Sequence, residues 1–246
     1  MAETGHAPTE TSDDAAPKAV ETERLIGVTM GLGLAAAFLA MAAVSWIADK
    51  MLAGKTADFD RAVSRAVHSI ATPTMTGVMR RASRFGGPSW LVPAAVLLLA
   101  IFISRRWYRG AVLLVVALGG AGLLDTILKF AFRRQRPDPL FGQPLPASYS
   151  FPSGHALFAF VFFGSAAVLL ADRISSRRIR ALVYVLAASL VGLIGTSRIY
   201  LNVHHPSDVA AGYLVALAWI VSVAFGDHLA SQGVLRRDDW YRLVRA

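Results

Sequence analysis

Three short segments hold the residues with the means to do chemistry. Lys129 and Arg136 stand seven residues apart, and Pro137 follows directly. Phe151-Pro152-Ser153-Gly154-His155 comes immediately before an apolar run. Ser197-Arg198 closes another run, and His204-His205-Pro206-Ser207-Asp208 leads into the next. Three fixed cations (Lys129, Arg136, Arg198) beside two prospective helix starts would suit a phosphoryl group, because cations and free helix N–H groups stabilise charge on its nonbridging oxygens. Two histidines, His155 and His204, could supply a proton donor and a nucleophile. Asp208, four residues after His204, could hold one imidazole nitrogen and leave the other free to attack.

Each feature also has a plainer account. Lys129 and Arg136 at a membrane edge could be snorkelling anchors. The Pro152 segment could be an ordinary helix start, since proline fits a first turn where its missing N–H costs nothing. Asp208 could merely complement a helix dipole. A His/His/Asp cluster could also ligate a metal. Three nearby cations and a single carboxylate argue against that, because two-metal phosphatase chemistry ordinarily uses several carboxylates.

The elements that must position these residues are membrane helices. Of 246 residues, 55% are hydrophobic and 17% charged, with mean hydropathy +0.50. A soluble domain of this size needs more charge to cover its surface. The run Leu25–Ile47 has no charge and is long enough to span a hydrocarbon core of roughly 30 Å. Ala40-Met41-Ala42 offers a possible signal cleavage site, but the run is too long for a signal core. Five more runs follow at about Ser89–Ile103, Ala111–Phe132, Ala156–Ala171, Ile179–Ile199 and Val209–Phe225. Trp46, Trp90, Trp107, Tyr108 and Tyr200 sit near run ends, as an aromatic belt requires. The expected fold is all-α, a six-transmembrane-helix bundle with both termini on one side.

The first loop, residues 49–88, carries two amphipathic patterns. Phe59, Val63, Val67 and Ile70 form one apolar face, with Asp58, Asp60, Arg61 and Arg65 on the others; Met75, Val78, Met79, Ala82 and Phe85 form a second. They read as short interfacial helices, with soluble cap helices as the alternative. Residues 133–152 contain five prolines and read as an ordered loop. Residues 1–22 read as a disordered polar tail, 23–227 as the membrane domain, and 228–246 as a cytoplasmic C-terminal tail.

Charge sets the expected orientation and partners. The formal net charge is +9, and arginine supplies 21 of the 25 basic residues. Ser104–Gly110 holds three arginines and Asp172–Arg180 four, so these short loops should be cytoplasmic, with Arg236 and Arg237 on their side. The three chemical segments then converge on the outward face. A basic, apolar chain points to the bilayer and an anionic lipid, and no basic run with interleaved aromatics supports nucleic-acid binding. With no cysteine, disulfides, thiolate zinc sites and iron–sulfur clusters are excluded.

The segments resemble the tripartite signature of the type-2 phosphatidic acid phosphatases, related to bacterial acid phosphatases and vanadium haloperoxidases. Lys129, Arg136, Pro137, Pro152, Ser153, Gly154, His155, Ser197, Arg198, His204 and Asp208 occupy every fixed position at the matching spacing. The resemblance spans about Leu25 to Phe225. It implies that His204 forms a phosphohistidine, that His155 protonates the leaving oxygen and later activates water, and that Asp208 orients His204. It also implies that Lys129, Arg136, Ser153, Gly154 and Arg198 hold the phosphate, that no metal or other cofactor is needed, and that the site faces outward from the cell membrane. His205 falls at an open position and receives no role. Asp125, outside the signature, shares a helix face with Lys129 and is expected to pair with it.

The expected activity is hydrolysis of a lipid phosphomonoester or pyrophosphate, with undecaprenyl pyrophosphate, phosphatidylglycerol phosphate and phosphatidic acid as candidates. Transfer of the phosphoryl group to an alcohol acceptor is the second reading. A transporter is the third, although its charges would be strung along a path and not gathered at one face. Six apolar spans disfavour a soluble haloperoxidase.

Overall fold

A computed structural model describes residues 15–142, 144 and 146–231, with side chains from residue 27 onward. These residues form eight helices: α1 (Ala15–Leu52), α2 (Ala57–His68), α3 (Pro73–Phe85), α4 (Pro88–Ser104), α5 (Tyr108–Phe132), α6 (Gly154–Ala171), α7 (Arg177–Tyr200) and α8 (Pro206–Ser231). Gly27–Leu52 of α1 and the whole of α5, α6, α7 and α8 are long and apolar enough to cross a membrane. The 17-residue α4 lies at the lower limit for a span and continues α3 through a 46° bend. The fold is an all-helical membrane bundle, and counting the bent pair once gives six spans. Arg236 and Arg237 lie outside the described residues.

Small residues let the spanning helices approach closely, as they must where lipid removes the hydrophobic drive between helices. Ala37 and Ala40 of α1 pack on Ala218 of α8. Ala117 and Ala121 of α5, Leu157 and Val161 of α6, and Ala211 and Val215 of α8 form the central core. Leu91 and Phe102 of α4 join Leu114 of α5 and Phe162 of α6 in a second cluster. The outward side of α7 shows Leu182, Val185 and Leu186, each more than half exposed, which is the face a bilayer would cover.

The arginine-rich connections share one end of the bundle. Arg173 lies over the Trp107 ring at 4.2 Å, and Arg109 pairs with Asp227 near the end of α8. The opposite end carries α2, α3, the 133–153 loop and the turn between α7 and α8.

Two expectations change here. Tyr200 is not in an aromatic belt. It is fully buried against Met79, Leu201 and Val203, its ring is stacked on Phe141, and its hydroxyl bonds Thr76 Oγ1 at 2.8 Å. Helix α6 begins at Gly154, not at Pro152. Ser153 is its N-cap, and the Ser153 N–H donates to the Asp208 carbonyl at 3.0 Å, which holds the preceding residues outside the helix.

The first-loop patterns are helices α2 and α3, but α2 is turned in an unexpected way. On α2, Phe59 is 56% exposed and Val67 packs against the Met79–Tyr200 cluster, whereas Asp60 is only 4% exposed and faces the protein. Its carboxylate accepts from the Ser207 N–H and the Ser207 hydroxyl, both at 2.9 Å, at the start of α8.

Candidate active site

Lys129 occupies the last turn of α5, where a cation complements the helix dipole. Its ammonium donates to the Pro152 carbonyl at 2.8 Å and pairs with Asp125 one turn earlier. Lys129 therefore ties the end of α5 to the approach of α6, with the expected carboxylate partner. A Cβ added to Gly154 would lie 3.1 Å from Asp125 Oδ1, so glycine is what lets the start of α6 come this close. On the other side of α6, a Cβ at Gly212 would meet the Ser153 carbonyl at 2.7 Å, so glycine again permits the approach of α8.

His204 sits in the turn between α7 and α8 and is 1% exposed. Its Nδ1 lies 3.5 Å from Asp208 Oδ2, and its Nε2 lies 2.9 Å from Arg136 Nη1. Arginine has no lone pair to offer, so its N–H donates and Nε2 accepts; the Nδ1 hydrogen then faces Asp208. Burial lowers the His204 pKa to about 3, with the Asp208 hydrogen bond opposing and the charges of Arg136 and Arg198 adding to the fall. The ring is neutral at physiological pH, with the nitrogen remote from Asp208 carrying the lone pair.

Arg136 is fixed by acceptors on two segments. It donates to the carbonyls of Ser148 and Val203, both at 2.7 Å, and to Ser148 Oγ at 3.0 Å. Burial pulls its pKa below the usual arginine value, with Asp208 and Asp125 opposing.

Asp208 is wholly buried and fully used. Its carboxylate accepts from Ser150 Oγ at 2.5 Å, from the His205 N–H at 2.9 Å and from Arg134 Nη1 at 2.5 Å. Arg134 also donates to Asp60 Oδ2 at 2.8 Å and to Ser207 Oγ at 2.8 Å. The Asp208 carboxylate is thereby joined through one guanidinium to a buried carboxylate on α2. Asp60, Arg134 and Ser150 were not legible as site residues. Arg134 lies among the six variable positions between Lys129 and Arg136, and Asp60 looked like part of a solvated helix face. Asp58, two residues before it, is exposed, so the acids on this helix gave no signal that one of them turns inward. His205 contributes its backbone N–H; its ring pKa is lowered by burial and by Arg134.

Lys129, Arg136, Arg198, His155, Gly154, His204 and Asp125 all line one cavity of about 550 Å³. Arg198 is 7% exposed and donates to Ser83 on α3, while its Nε has no hydrogen-bond partner within the described protein. Ser153 Oγ, also buried, has none either. A buried donor is costly unless paired, and of these two atoms the one on Arg198, a cavity-lining residue, could donate to a polar ligand. Ser153 and Asp208 are not cavity-lining; Asp208 stands behind His204. Away from the cations the cavity becomes apolar, with Leu91, Val92 and Ala95 on α4, Leu118 and Gly119 on α5, and Phe158 on α6. Val92 of α4 and Gly119 of α5 line this arm and are themselves exposed, so the arm is open between these two helices.

The arrangement can bind an anion at one end and an apolar chain at the other. Residues 110–228 match the PAP2 superfamily. The chain is 34% identical to phosphatidylglycerophosphatase B of Bacillus subtilis over 162 residues, covering 64% of this chain and 78% of that protein. It is 32% identical to an undecaprenyl-diphosphatase of Sulfolobus acidocaldarius over 152 residues, covering 60% of this chain and 68% of that protein. Among solved structures, a transmembrane PAP2-type phosphatidylglycerolphosphate phosphatase from Bacillus subtilis superposes with a TM-score of 0.70 at 29% identity, covering 82% of this chain and 98% of that one.

Proposed function

The chain belongs to the PAP2 superfamily and is a multi-pass membrane lipid phosphatase, and we propose that it works through a phosphohistidine on His204. The observation that carries this reading is the His204 Nε2 atom itself. It fronts the cation-lined end of a cavity whose other end is apolar, and Arg136 stands 2.9 Å away.

A lipid phosphate would place its tail in the arm between α4 and α5 and its phosphoryl group among Lys129, Arg136 and Arg198. Ser153, Gly154 and the free N–H groups of the first turn of α6 would bind the remaining oxygens. Arg136 would turn from Nε2 to a phosphate oxygen, which frees the nitrogen lone pair. Nε2 then attacks phosphorus, the bond from phosphorus to the lipid oxygen breaks, and His155 gives that oxygen a proton. Positive charge on the His204 ring is met by Asp208. In the second half, His155 takes a proton from water, water oxygen bonds phosphorus, and the P–N bond breaks. The products are the lipid alcohol and inorganic phosphate, and both histidines return to their starting states. No metal enters this scheme.

The site faces outward in this reading, and the arginine-rich end faces the cytoplasm with both termini. A lipid bearing a terminal phosphate or diphosphate, as the relatives' names describe for those proteins, is the substrate class. The test is phosphate release by purified full-length protein from phosphatidic acid, phosphatidylglycerol phosphate and undecaprenyl pyrophosphate in excess EDTA. Release from at least one is expected, with inhibition by vanadate, which can take up five-coordinate geometry on His204. Loss in EDTA that magnesium restores would overturn the metal-free scheme.

A further inference from the structure

A second cavity, of about 460 Å³, adjoins the first and shares His155 and Pro88 with it. Its character is different. Arg80, Ser83 and Arg84 line it from one face of α3, and Ser89 lines it from the first turn of α4. No carboxylate is among its described lining residues. The two cavities are also linked by a bond, since Arg198 of the first donates to Ser83 of the second. The Arg80 guanidinium is steadied by the Phe141 carbonyl. His155 stands at the junction. A Cβ on Gly87, which lines the second cavity, would lie 3.4 Å from His155 Nε2.

The position of His155 decides what this second cavity can hold. If His155 gives its proton to the leaving oxygen, the group attached to that oxygen lies at the junction. Two directions are open from there. One is the apolar arm between α4 and α5, which suits a hydrocarbon tail. The other is lined by two guanidinium groups, which suit an anion. We propose that the Arg80–Arg84 cavity is a leaving-group anion subsite, which selects lipids that carry a second phosphoryl group next to the scissile one.

The proposal rests on the catalytic reading above and refines its substrate class. Phosphatidic acid has nothing to place there, whereas a lipid diphosphate does. Its departing fragment is a lipid monophosphate that gains negative charge as the P–O bond breaks. Arginines facing that charge bind the transition state better than the ground state, so they act on kcat as well as KM. A headgroup phosphodiester carries the same charge throughout, so there the arginines would act on KM alone.

Two substrates with one tail isolate the effect: farnesyl monophosphate and farnesyl diphosphate, given to the full chain in mixed micelles. The double variant Arg80→Ala/Arg84→Ala should lose about 10- to 100-fold in kcat/KM on the diphosphate, part of it in kcat, the loss expected for one or two charge-assisted hydrogen bonds. Its kcat/KM on the monophosphate should stay within about threefold, which also reports that the variant is folded. Arg84→Lys, with charge retained, should recover part of the loss. An equal fall on both substrates, or no fall on either, would overturn the subsite. Failure of the wild-type protein to hydrolyse either substrate would overturn the catalytic reading, and the subsite with it.

Discussion

Asp60 and Asp208 share a single guanidinium, with Arg134 donating to the first at 2.8 Å and to the second at 2.5 Å. Asp60 also holds Ser207, the neighbour of Asp208, through backbone and side chain. The carboxylate behind His204 is thus positioned from α2, a helix outside the spanning bundle. Arg134→Ala would leave two buried carboxylates facing each other, and breaking a buried pair costs about 3–5 kcal/mol. Its thermal unfolding midpoint should fall clearly. Arg134→Lys should recover little, because one ammonium cannot replace a fork that serves both carboxylates. Asp60→Asn keeps an acceptor for the Ser207 N–H and should fold. We expect it to lower kcat by at least about tenfold with KM within about threefold, because the substrate meets neither residue. Steady-state kinetics on one lipid phosphate decide this, and an unchanged kcat would detach α2 from the site.

The two histidines should fail in different ways. His204→Ala removes the atom proposed to bond phosphorus, so turnover should drop to background on every substrate. His155→Ala removes a proton donor, and that penalty, of the order of 10²–10⁴-fold, depends on how much the leaving oxygen needs a proton. It should be large for a lipid alcohol and smaller for an aryl phosphate. Acid-quenched, labelled enzyme should be found in wild type and His155→Ala. Label in His204→Ala would remove the assignment.

The pH behaviour of His204 follows from its burial. An ordinary histidine is half protonated near pH 6.5, whereas His204 is lowered to about 3, so it binds its proton only in strong acid. Between these values the unfolded chain carries a proton here that the folded chain does not. This residue therefore makes stability fall as pH drops from about 6.5 toward 3, and contributes no pH dependence above that range. Nitrogen NMR of labelled protein, assigned by difference from His204→Ala, should show a neutral ring from pH 8 to pH 5. A transition near pH 6.5 would contradict it.

Membrane sidedness can be read with exposed serines. Ser153 is buried and would label poorly, whereas Ser69 after α2 and Ser175 in the arginine-rich loop are exposed at opposite ends of the bundle. Ser69→Cys should react with an impermeant thiol reagent in intact cells, and Ser175→Cys only after permeabilisation. The reverse pattern would invert the proposed orientation.

Gly86 offers a test of the bend between α3 and α4. A Cβ there would come within 2.3 Å of Ile194 Cγ2 and 3.5 Å of His155 Cδ2. Gly86→Ala should destabilise the protein and depress activity. Ile194→Ala removes Cγ2, so the double variant should be less impaired than the two single effects added together. Strict additivity in unfolding and rate measurements would show that the clash is relieved elsewhere.

Much of this fold was legible because membrane spans leave long apolar runs. The run read as Ile179–Ile199 is helix Arg177–Tyr200, and Ala111–Phe132 is Tyr108–Phe132. The ends moved outward because polar residues at a span's edge still adopt helical geometry. Lys129, Arg136, His155, Arg198 and His204 were legible as a group because they fall in three compact segments at the ends of spans that share one face, and they do line one cavity. Asp60 was not, because helical periodicity reports which side of α2 is apolar without saying which side meets protein. Near an interface the apolar side can face lipid and the acid can face inward. Tyr200 was misplaced for the related reason that the end of a span can be covered by another helix, here α3.

The opening between Val92 and Gly119 has a kinetic consequence. A ligand that arrives through the wall of the bundle is delivered by diffusion in a plane, and its supply is set by its mole fraction among the surrounding lipids. Diluting such a substrate with inert lipid at fixed total amount should slow turnover, whereas changing the volume of buffer around the same vesicles should not.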